Sequence, residues 1–500
     1  MVSIGILASR IVGLVRQKVI AHYFGTTDAA DAVAAAFRVG NITQNLLGEA
    51  ALSASFVPVY ARLRLREPTL ATRFARALLG VLFVAVVVLS ALGALFAPAL
   101  AAVVAAGFEG DKLALTAELV RILFPMTGVL VLGAWALGIL TAHRRFLLPY
   151  VAPVLWSVAQ IAAVVVAGRG FGIRGDALAR ALAWGAVGGA GLQLAVMLLP
   201  VYRLIGSISP TFERGVEGVG EALARFPSSL AARGVIQISG LVDTFLVSFL
   251  GAGANATFQY AQTIYLLPMS VLGTGEAAAA LPALAEQDVT SDDARRRVLS
   301  SITTSLTRVF TLSLAASVVF AAFGVEVTTL LFRGGSFTAS SASDVGAALS
   351  AYALGLPANA ASRILGTASF ARGDTRRPAL YATLRVIVST AVSVALMTRF
   401  GVPGVIFGAV VAAWLELALL ARNVRATYGG TGLAAVPFGK VVAASIAPAA
   451  IGIAAKLGLR AVGAGPFLSS TIILICAGAA FLAAAQFMKL FSIRSLLRRH

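Results

Sequence analysis

The chain is poor in the residue types that build catalytic and metal sites. Its 500 residues include one cysteine, Cys476, and three histidines, His22, His143 and His500. A single cysteine excludes a disulfide within the chain, and its position in an apolar run favours packing over metal binding. Neither an HExxH motif, nor a CxxC pair, nor a Walker-type P-loop is present. We therefore expect no cofactor, no metal and no enzymatic activity, so that any energy comes from an ion gradient, the membrane potential or substrate consumption.

Charged residues are also scarce. They make up 12% of the chain, against 59% hydrophobic residues, and the mean hydropathy is +0.90. This composition is typical of polytopic membrane proteins and leaves no room for a large soluble domain. The net charge of +19 does not indicate nucleic acid, because no basic run is interleaved with aromatic residues. The start, residues 1–4, has no basic leader or cleavage site, so we expect the first helix to be retained.

Apolar segments of spanning length predict about fourteen transmembrane helices in an all-α fold. Each segment is bounded by charged residues, glycine or proline. The segments fall at 2–23, 30–60, 73–104, 115–141, 149–168, 177–201, 225–251, 255–284, 299–323, 341–370, 379–399, 402–424, 438–459 and 466–489.

Basic residues alternate between the connections of these helices. The arginines and lysines concentrate around residues 62–66, 143–145, 203–214, 295–297, 372–377 and 422–440. By the positive-inside rule, these connections face the cytoplasm. The tail carries Arg494, Arg498 and Arg499, so we expect both termini in the cytoplasm of a bacterial inner membrane.

A faint internal repeat predicts two lobes. The sequence Gly-Glu-Ala-Ala at residues 48–51 returns at residues 275–278, in each case after a phenylalanine and glycine and before a proline. The copies lie about six helices apart, an even number, which favours parallel repeats around a central cavity. We expect a six-helix lobe at 1–205, a second at 206–430 and two further helices with a basic tail at 431–500.

One polar stripe interrupts the apolar pattern. Asp31, Arg38, Asn41, Asn45 and Glu49 recur at helical spacing, so they share one narrow sector of a helix and run through most of a hydrocarbon core. Ionisable groups are too costly to face lipid, and we therefore expect the stripe to line a wet, protein-walled space.

Further polar groups lie inside predicted spans. Arg10 and Arg16 stand on either side of Gly13, about 120° apart on a straight helix. Both can therefore line one cavity only if the cavity is wide or the helix bends near Gly13. The alternative is that each side chain snorkels to the lipid headgroups. Faces with Arg233 and Gln237, and with Thr263, serve either helix packing or ligand binding. Embedded arginines outnumber embedded carboxylates, which favours an anionic ligand and suits phosphate.

Three blocks of sequence carry a family resemblance. The first contains Ser-Arg-Ile-Val-Gly at residues 9–13 and continues through Arg16 to Phe-Val-Pro at 56–58; the second comprises residues 331–338, 352–356 and 370–378; the third runs from 237 to 273. Together they resemble the MurJ/MviN family of lipid II flippases over nearly the whole chain.

The resemblance implies the multidrug/oligosaccharidyl-lipid/polysaccharide exporter fold, with two C-terminal helices beyond the lobes and alternating access to a cationic cavity. It implies a substrate, an undecaprenyl-pyrophosphate-linked peptidoglycan precursor, whose pyrophosphate the arginines would hold. Cell-wall synthesis enzymes and a monovalent ion are further candidate partners. The candidate substrate-binding residues are Arg10, Arg16, Arg38, Asn41, Asn45, Glu49, Arg233, Gln237, Thr263 and Arg363, and the candidate ion-binding or charge-balancing residues are Asp31, Asp243 and Glu276.

The chain departs from that family at three arginines. Gln44 and Asn45 stand where the family usually has an Arg-Arg pair, and Thr263 stands where it has the arginine of Ala-Asp-Arg. Arg38, Arg233 or Arg363 are the candidates to compensate. The alternatives are a flippase for another lipid-linked oligosaccharide and a transport-inactive scaffold of the same fold.

Overall fold

The computed structural model describes residues 2–213, 215–285, 292–371, 374, 376–488 and 490. Over this part of the chain the backbone is almost entirely helical, without a strand, and its one β-bridge joins Gly334 and Phe337. The predicted all-α fold is confirmed. The helices form two compact units, one that extends to Ala256 and one that starts at Thr257.

The first unit contains nine α-helices within its described residues. They are α1 Val2–Phe24, α2 Asp28–Gln44, α3 Ala51–Arg66, α4 Pro68–Leu95, α5 Ala97–Val104, α6 Gly110–Ala142, α7 Leu147–Val165, α8 Gly175–Ile205 and α9 Val219–Ser248. Two π-helical segments, Asn45–Ala50 and Val166–Gly170, follow α2 and α7 without a break.

Helix α6 is central in this unit and packs against α2, α4 and α8. The indole Nε1 of Trp135 on α6 donates to the carbonyl of Ala75 on α4, at 3.1 Å. The rings of Phe56 and Phe74 stack beside it in the same buried cluster, with centroids 5.5 Å apart. Helix α6 also holds α2, the helix that carries the polar stripe: Oγ1 of Thr127 on α6 donates to the carbonyl of Gly40 at 3.5 Å.

The connection from α8 to α9 is bound to α3 and α4 by charge. Three ion pairs join arginines of those helices to glutamates at or near this connection: Arg62 with Glu221, Arg66 with Glu217, and Arg73 with Glu213. Each is exposed, and isolated exposed pairs contribute little. Their common effect is to hold Glu213, Glu217 and Glu221 against α3 and α4.

The second unit contains α10 Ala254–Ala285, which starts at the boundary, α11 Asp292–Phe332, α12 Ala339–Ala353, α13 Leu356–Phe370, α14 Arg376–Tyr428, α15 Phe438–Ala461 and α16 Pro466–Phe487. Helix α11 packs against α12, α13, α15 and α16. Helix α14 is broken at Gly401, whose φ of 59° lies in the left-handed region that favours glycine. The break separates the two spans predicted on either side of it.

Each predicted span coincides with a helix or a pair of successive helices. The span at 30–60 comprises α2, a π-helical segment and α3, and the span at 73–104 is interrupted at Phe96. The span predicted to end at 323 ends at a kink, because the backbone of Phe323 is non-helical and a further helical segment continues to Phe332. Among the described helices, eight are long and apolar enough to cross a membrane by length and composition. The count of fourteen and the three domain boundaries stay predictions.

The close packing of the two halves of α14 predicts a sharp cost for a small substitution. A Cβ at Gly408 would lie 2.5 Å from the carbonyl oxygen of Ser389 and 2.7 Å from the backbone nitrogen of Ser393. Because backbone cannot move aside, we expect Gly408→Ala to destabilise the protein by about 1–3 kcal/mol. Thermal unfolding of the purified protein in detergent measures this. Gly458→Ala is the matched control, since nothing lies within 4 Å of its Cβ; equal melting temperatures would contradict the prediction.

His143, in the connection after α6, should be harder to protonate than an ordinary histidine. Its Nε2 lies 3.0 Å from the Tyr60 hydroxyl oxygen. Desolvation, and next the charges of Arg64 and Arg145, lowers the pKa of the His143 imidazole below its ordinary value of 6.5. A depressed pKa of a base stabilises the fold above the unfolded-state pKa, and this contribution is lost as pH falls through the folded-state value.

An NMR titration of histidine-labelled protein, with His143→Gln to assign the signal, checks this expectation. A His143 pKa at or above 6.5 would contradict it.

Candidate functional site

The polar residues of α2 from Arg38 onward, with Asn45 directly after it, form a half-exposed row on an otherwise buried helix. Arg38, Asn41, Gln44 and Asn45 are partly accessible, whereas nearly all the other α2 side chains from Ala29 to Ile42 are buried. Accessible amide and guanidinium groups in a helix of this class require water or a polar ligand, because lipid supplies no hydrogen bonds. This row is the core of the candidate site.

Arg38 is held by α9. Its Nε donates to Oγ1 of Thr244 at 3.2 Å, and that hydroxyl in turn donates to the carbonyl of Gly240 at 3.0 Å. Gly240 has no side chain, and a Cβ there would lie 3.3 Å from Nη1 of Arg38. Half-buried Gln237 precedes Gly240 by one turn on the same helix. The structure thus brings α2 and α9 together at the guanidinium.

The stripe does not continue as a regular α-helix. At Asn45 the backbone changes to a π-helical segment that ends at Ala50, and Gly48 within it packs against α6. A π-helical turn is wider than an α-helical one, so it changes the direction in which later side chains leave the helix. The prediction of one straight row from Asp31 to Glu49 is therefore wrong beyond Asn45, and the side chain of Glu49 lies outside the described residues.

Arg16 of α1 lies over an aromatic ring. Its Cζ is 4.8 Å from the ring centroid of Trp156 on α7, a cation–π distance. The indole Nε1 of Trp156 donates to the carbonyl of Ala186 at 3.1 Å, which fixes the ring. Phe37, next to Arg38, lies 6.5 Å from the same ring, centroid to centroid. Nε of Arg16 is buried without a hydrogen-bond partner among the described residues, so the ring is its principal contact on that side.

Asp31 does not line a wet space, contrary to the sequence expectation. Its side chain is fully buried, and Oδ2 accepts from Nζ of Lys112 at 2.6 Å and from the amide of Gly253 at 2.7 Å. Oδ1 accepts from the amide of Ala256 at 2.8 Å. Lys112 also pairs with Asp28, at 2.8 Å. Both carboxylate oxygens thus join α2 to α6 and to the backbone at residues 253–256.

The other predicted residues are more scattered. Arg10 is exposed on α1, and Asp243 is half-buried on α9. In the second unit, Thr263 donates its hydroxyl to the carbonyl of Gln259 at 2.9 Å, and Arg363 is exposed on α13. The side chains of Arg233 and Glu276 lie outside the described residues. The structure therefore brings together Arg38 and the α9 face, while Asp31 belongs to a different cluster.

Two contributors carry no local signal in the sequence. Trp156 and Lys112 lie far along the chain from the groups that they contact, Arg16 and Asp31, so spacing gives no sign of either pair. The available signal was rarity, because Trp156 is one of four tryptophans. Within the described part of the chain, no group of three or more His, Cys, Asp and Glu side chains could hold a metal ion.

The fold and the site define a multi-pass, α-helical membrane protein with an arginine-bearing polar face among its apolar helices. Comparison with solved structures identifies the fold of this membrane protein. The chain superimposes on a structure described as lipid II flippase MurJ in an inward closed conformation, with a TM-score of 0.80, 20% identity and 99% of each chain covered. It also matches an inward-facing multidrug resistance MATE family transporter of the MOP superfamily, at a TM-score of 0.70, 16% identity and coverage of 84% and 94%. These likenesses establish the MOP-superfamily fold.

The family follows from sequence. The family model described as lipid II flippase MurJ matches residues 20–478. A probable lipid II flippase MurJ of Rhizobium tropici is 31% identical over 414 residues, which cover 82% of this chain and 77% of the relative. The lipid II flippase MurJ of Burkholderia cenocepacia is 31% identical over 427 residues, covering 84% and 81%. The chain belongs to the MurJ family, and the resemblance predicted from its sequence blocks is confirmed.

The Arg16–Trp156 contact predicts a measurable coupling. Removal of the aromatic face in Trp156→Leu and of the charge in Arg16→Gln should give non-additive losses of unfolding free energy, with an interaction of about 0.5–2 kcal/mol. A double-mutant cycle by chemical unfolding in detergent measures it. Trp184→Leu, at an exposed tryptophan of α8, should show no coupling to Arg16→Gln. Additive effects at Trp156 would contradict the contact.

Proposed function

We propose that this protein moves lipid II, a polyprenyl-pyrophosphate-linked peptidoglycan precursor, from the inner to the outer leaflet of the bacterial cytoplasmic membrane. The carrying observation is family membership: relatives that match about four fifths of this chain bear the name lipid II flippase. The proposed mechanism is alternating access, in which no covalent bond of the substrate changes. The protein then acts as a transporter for cell-wall synthesis and not as an enzyme.

The chemistry of the first unit supports an anionic headgroup as ligand. Arg38 presents its guanidinium group beside neutral amides on α2 and α9, and Arg16 presents a second guanidinium group over the Trp156 ring. A guanidinium donates two parallel hydrogen bonds to a phosphate, and the geometry suits a diphosphate. We infer that Arg16 and Arg38 hold the pyrophosphate, and that Asn41, Asn45 and Gln237 bind neighbouring polar groups of the headgroup.

The replaced family arginines fit this assignment. Gln44, Asn45 and Thr263 keep hydrogen-bonding capacity but contribute no charge. The contacts with Trp156 and Thr244 restrain the arginines of α1 and α2, and a restrained donor loses less entropy on binding than a mobile one. We infer that the pyrophosphate is bound by fewer but better-positioned charges. Arg10, Glu49, Arg233, Arg363, Asp243 and Glu276 remain candidates for contacts to the substrate or an ion.

We further propose both termini on the cytoplasmic side, from the basic connections of the sequence. Translocation would draw on the membrane potential or a monovalent ion. The enzymes of cell-wall synthesis, which consume lipid II on the outer face, are candidate partners.

Complementation of a bacterium depleted of its own lipid II flippase tests the function. The wild-type chain should restore growth and the appearance of lipid II on the outer leaflet. Arg38→Ala should lower translocation about tenfold or more, the effect of losing one charge-assisted hydrogen bond, because Thr244 cannot replace the charge. Arg38→Lys keeps the charge but loses the fork and should retain part of the activity.

Arg66→Ala is the matched control, since Arg66 lies in an exposed ion pair with Glu217. This variant should restore growth as the wild type does. If well-expressed wild-type protein fails to rescue, lipid II is not the substrate. Another lipid-linked oligosaccharide or a scaffold role would then have to be tested.

A further inference from the structure

An arginine of the second unit lies on α13 with its side chain exposed and without an ion-pair partner among the described residues. The carbonyl oxygen of Arg363 accepts a hydrogen bond from the Thr367 hydroxyl. The charge of Arg363 also acts over a longer distance on the Tyr265 side chain. Its neighbours on α13, from Ala360 to Ser362 and from Ile364 to Ser369, are all buried. A guanidinium in such a helix is too costly to face lipid, so Arg363 has to face water or an anion.

The position of Arg363 on its helix directs it toward a polar cluster. Helical side chains lean toward the N-terminus of their helix, which places Arg363 over Asn359, one turn earlier. Nδ2 of Asn359 donates to the carbonyl of Gly355 at 3.0 Å. The side chain of Tyr265 lies near Asn359, and Arg363 is close enough to act electrostatically on that tyrosine. Snorkelling toward the C-terminal end of α13 at Phe370 would instead move the guanidinium away from Asn359.

A second arginine completes the cluster. Nη2 of Arg385 on α14 donates to Oδ1 of Asn359 at 2.8 Å, and its Nη1 pairs with Oε2 of Glu416 at 2.6 Å. The Glu416 side chain is 14% exposed and that of Arg385 is 33% exposed. A pair this sheltered gains little net stability over an apolar contact, so it is weak as a purely stabilising device.

The charges in this cluster do not balance. Glu416 neutralises Arg385, which leaves the charge of Arg363 uncompensated by any described carboxylate, beside the amide of Asn359 and the ring of Tyr265. A guanidinium whose N–H donors have no described protein partner, next to a fixed polar cluster, matches the geometry of a carboxylate or a phosphate.

We propose that Arg363, supported by Asn359 and Arg385, is an anion-binding site of the second unit for a carboxylate or phosphate group of the transported headgroup. The inference rests on the proposed function. It assigns to this unit a contact with either of two anionic parts of the substrate, the peptide carboxylates or the diphosphate. It also gives a role to the positive charge of Arg363 on α13, in a chain whose α10 has Thr263 where the family usually has an arginine.

Binding of soluble headgroup fragments to the full-length protein in lipid nanodiscs tests the site. The probes are a peptidoglycan stem peptide with free carboxylates and inorganic diphosphate, each titrated calorimetrically against wild type, Arg363→Ala and Arg363→Lys. Arg363→Ala should raise the Kd of one probe about tenfold or more while the other changes less than about twofold. The affected probe identifies the source of the anion. Arg363→Lys should be intermediate.

Arg425→Ala is the matched control, since Arg425 is an exposed arginine of the same unit on α14. This variant should bind both probes with the Kd values of the wild type. Wild-type Kd values for both probes in Arg363→Ala, or no binding of either probe to the wild type, would overturn the proposal. If Arg363-dependent binding persists in a protein that fails to restore lipid II translocation, the site stands and the proposed function fails.

Discussion

The structure depends on one constraint, the cost of a charged group in a medium without water. With 12% charged residues in 500, nearly every ionisable side chain inside a helix has to be paired, solvated or bound to a ligand. Asp31 is paired with Lys112, Glu416 with Arg385 and Glu326 with Lys456, at 2.6 Å in each case. These pairs fix helix to helix where apolar packing alone would leave the register open. Arg363, which has no ion-pair partner among the described residues, is by the same reasoning a group that a ligand could satisfy.

The same constraint divides one stripe of sequence into two roles. Asp31 and Arg38 are two turns apart on α2, yet Asp31 is fully buried and accepts hydrogen bonds from Lys112 and two backbone amides. Arg38 is partly accessible and lies against α9. A carboxylate with four lone-pair sites can be satisfied by a closed set of donors, whereas a guanidinium with five donors is rarely saturated by a helix face. The carboxylate is therefore enclosed by donors while the guanidinium of the same helix stays partly accessible, as its proposed binding role requires.

Irregular backbone occurs where the polar groups lie. The π-helical segment starting at Asn45 interrupts the helix that carries Arg38, and the broken helix α14 carries Arg385 before Gly401 and Glu416 after it. Because the break lets the two halves of α14 fold back on each other, residues 31 positions apart meet in one ion pair. A continuous helix would have placed them about 46 Å apart, at about 1.5 Å per residue.

The sequence alone determined the membrane class, the helices and the family. Hydrophobic length and bounding charges are local properties, so each predicted span coincides with helix, and even the break between residues 399 and 402 was visible in the pattern. It also identified Arg16, Arg38 and Arg363 as costly charges that need an explanation. Only the tertiary structure decided the partners: Lys112 for Asp31 across 81 positions, Trp156 for Arg16, and Thr244 for Arg38 across 206. The physical reason is that the medium requires each charge to be satisfied, but the packing of helices distant in sequence selects the group that satisfies it.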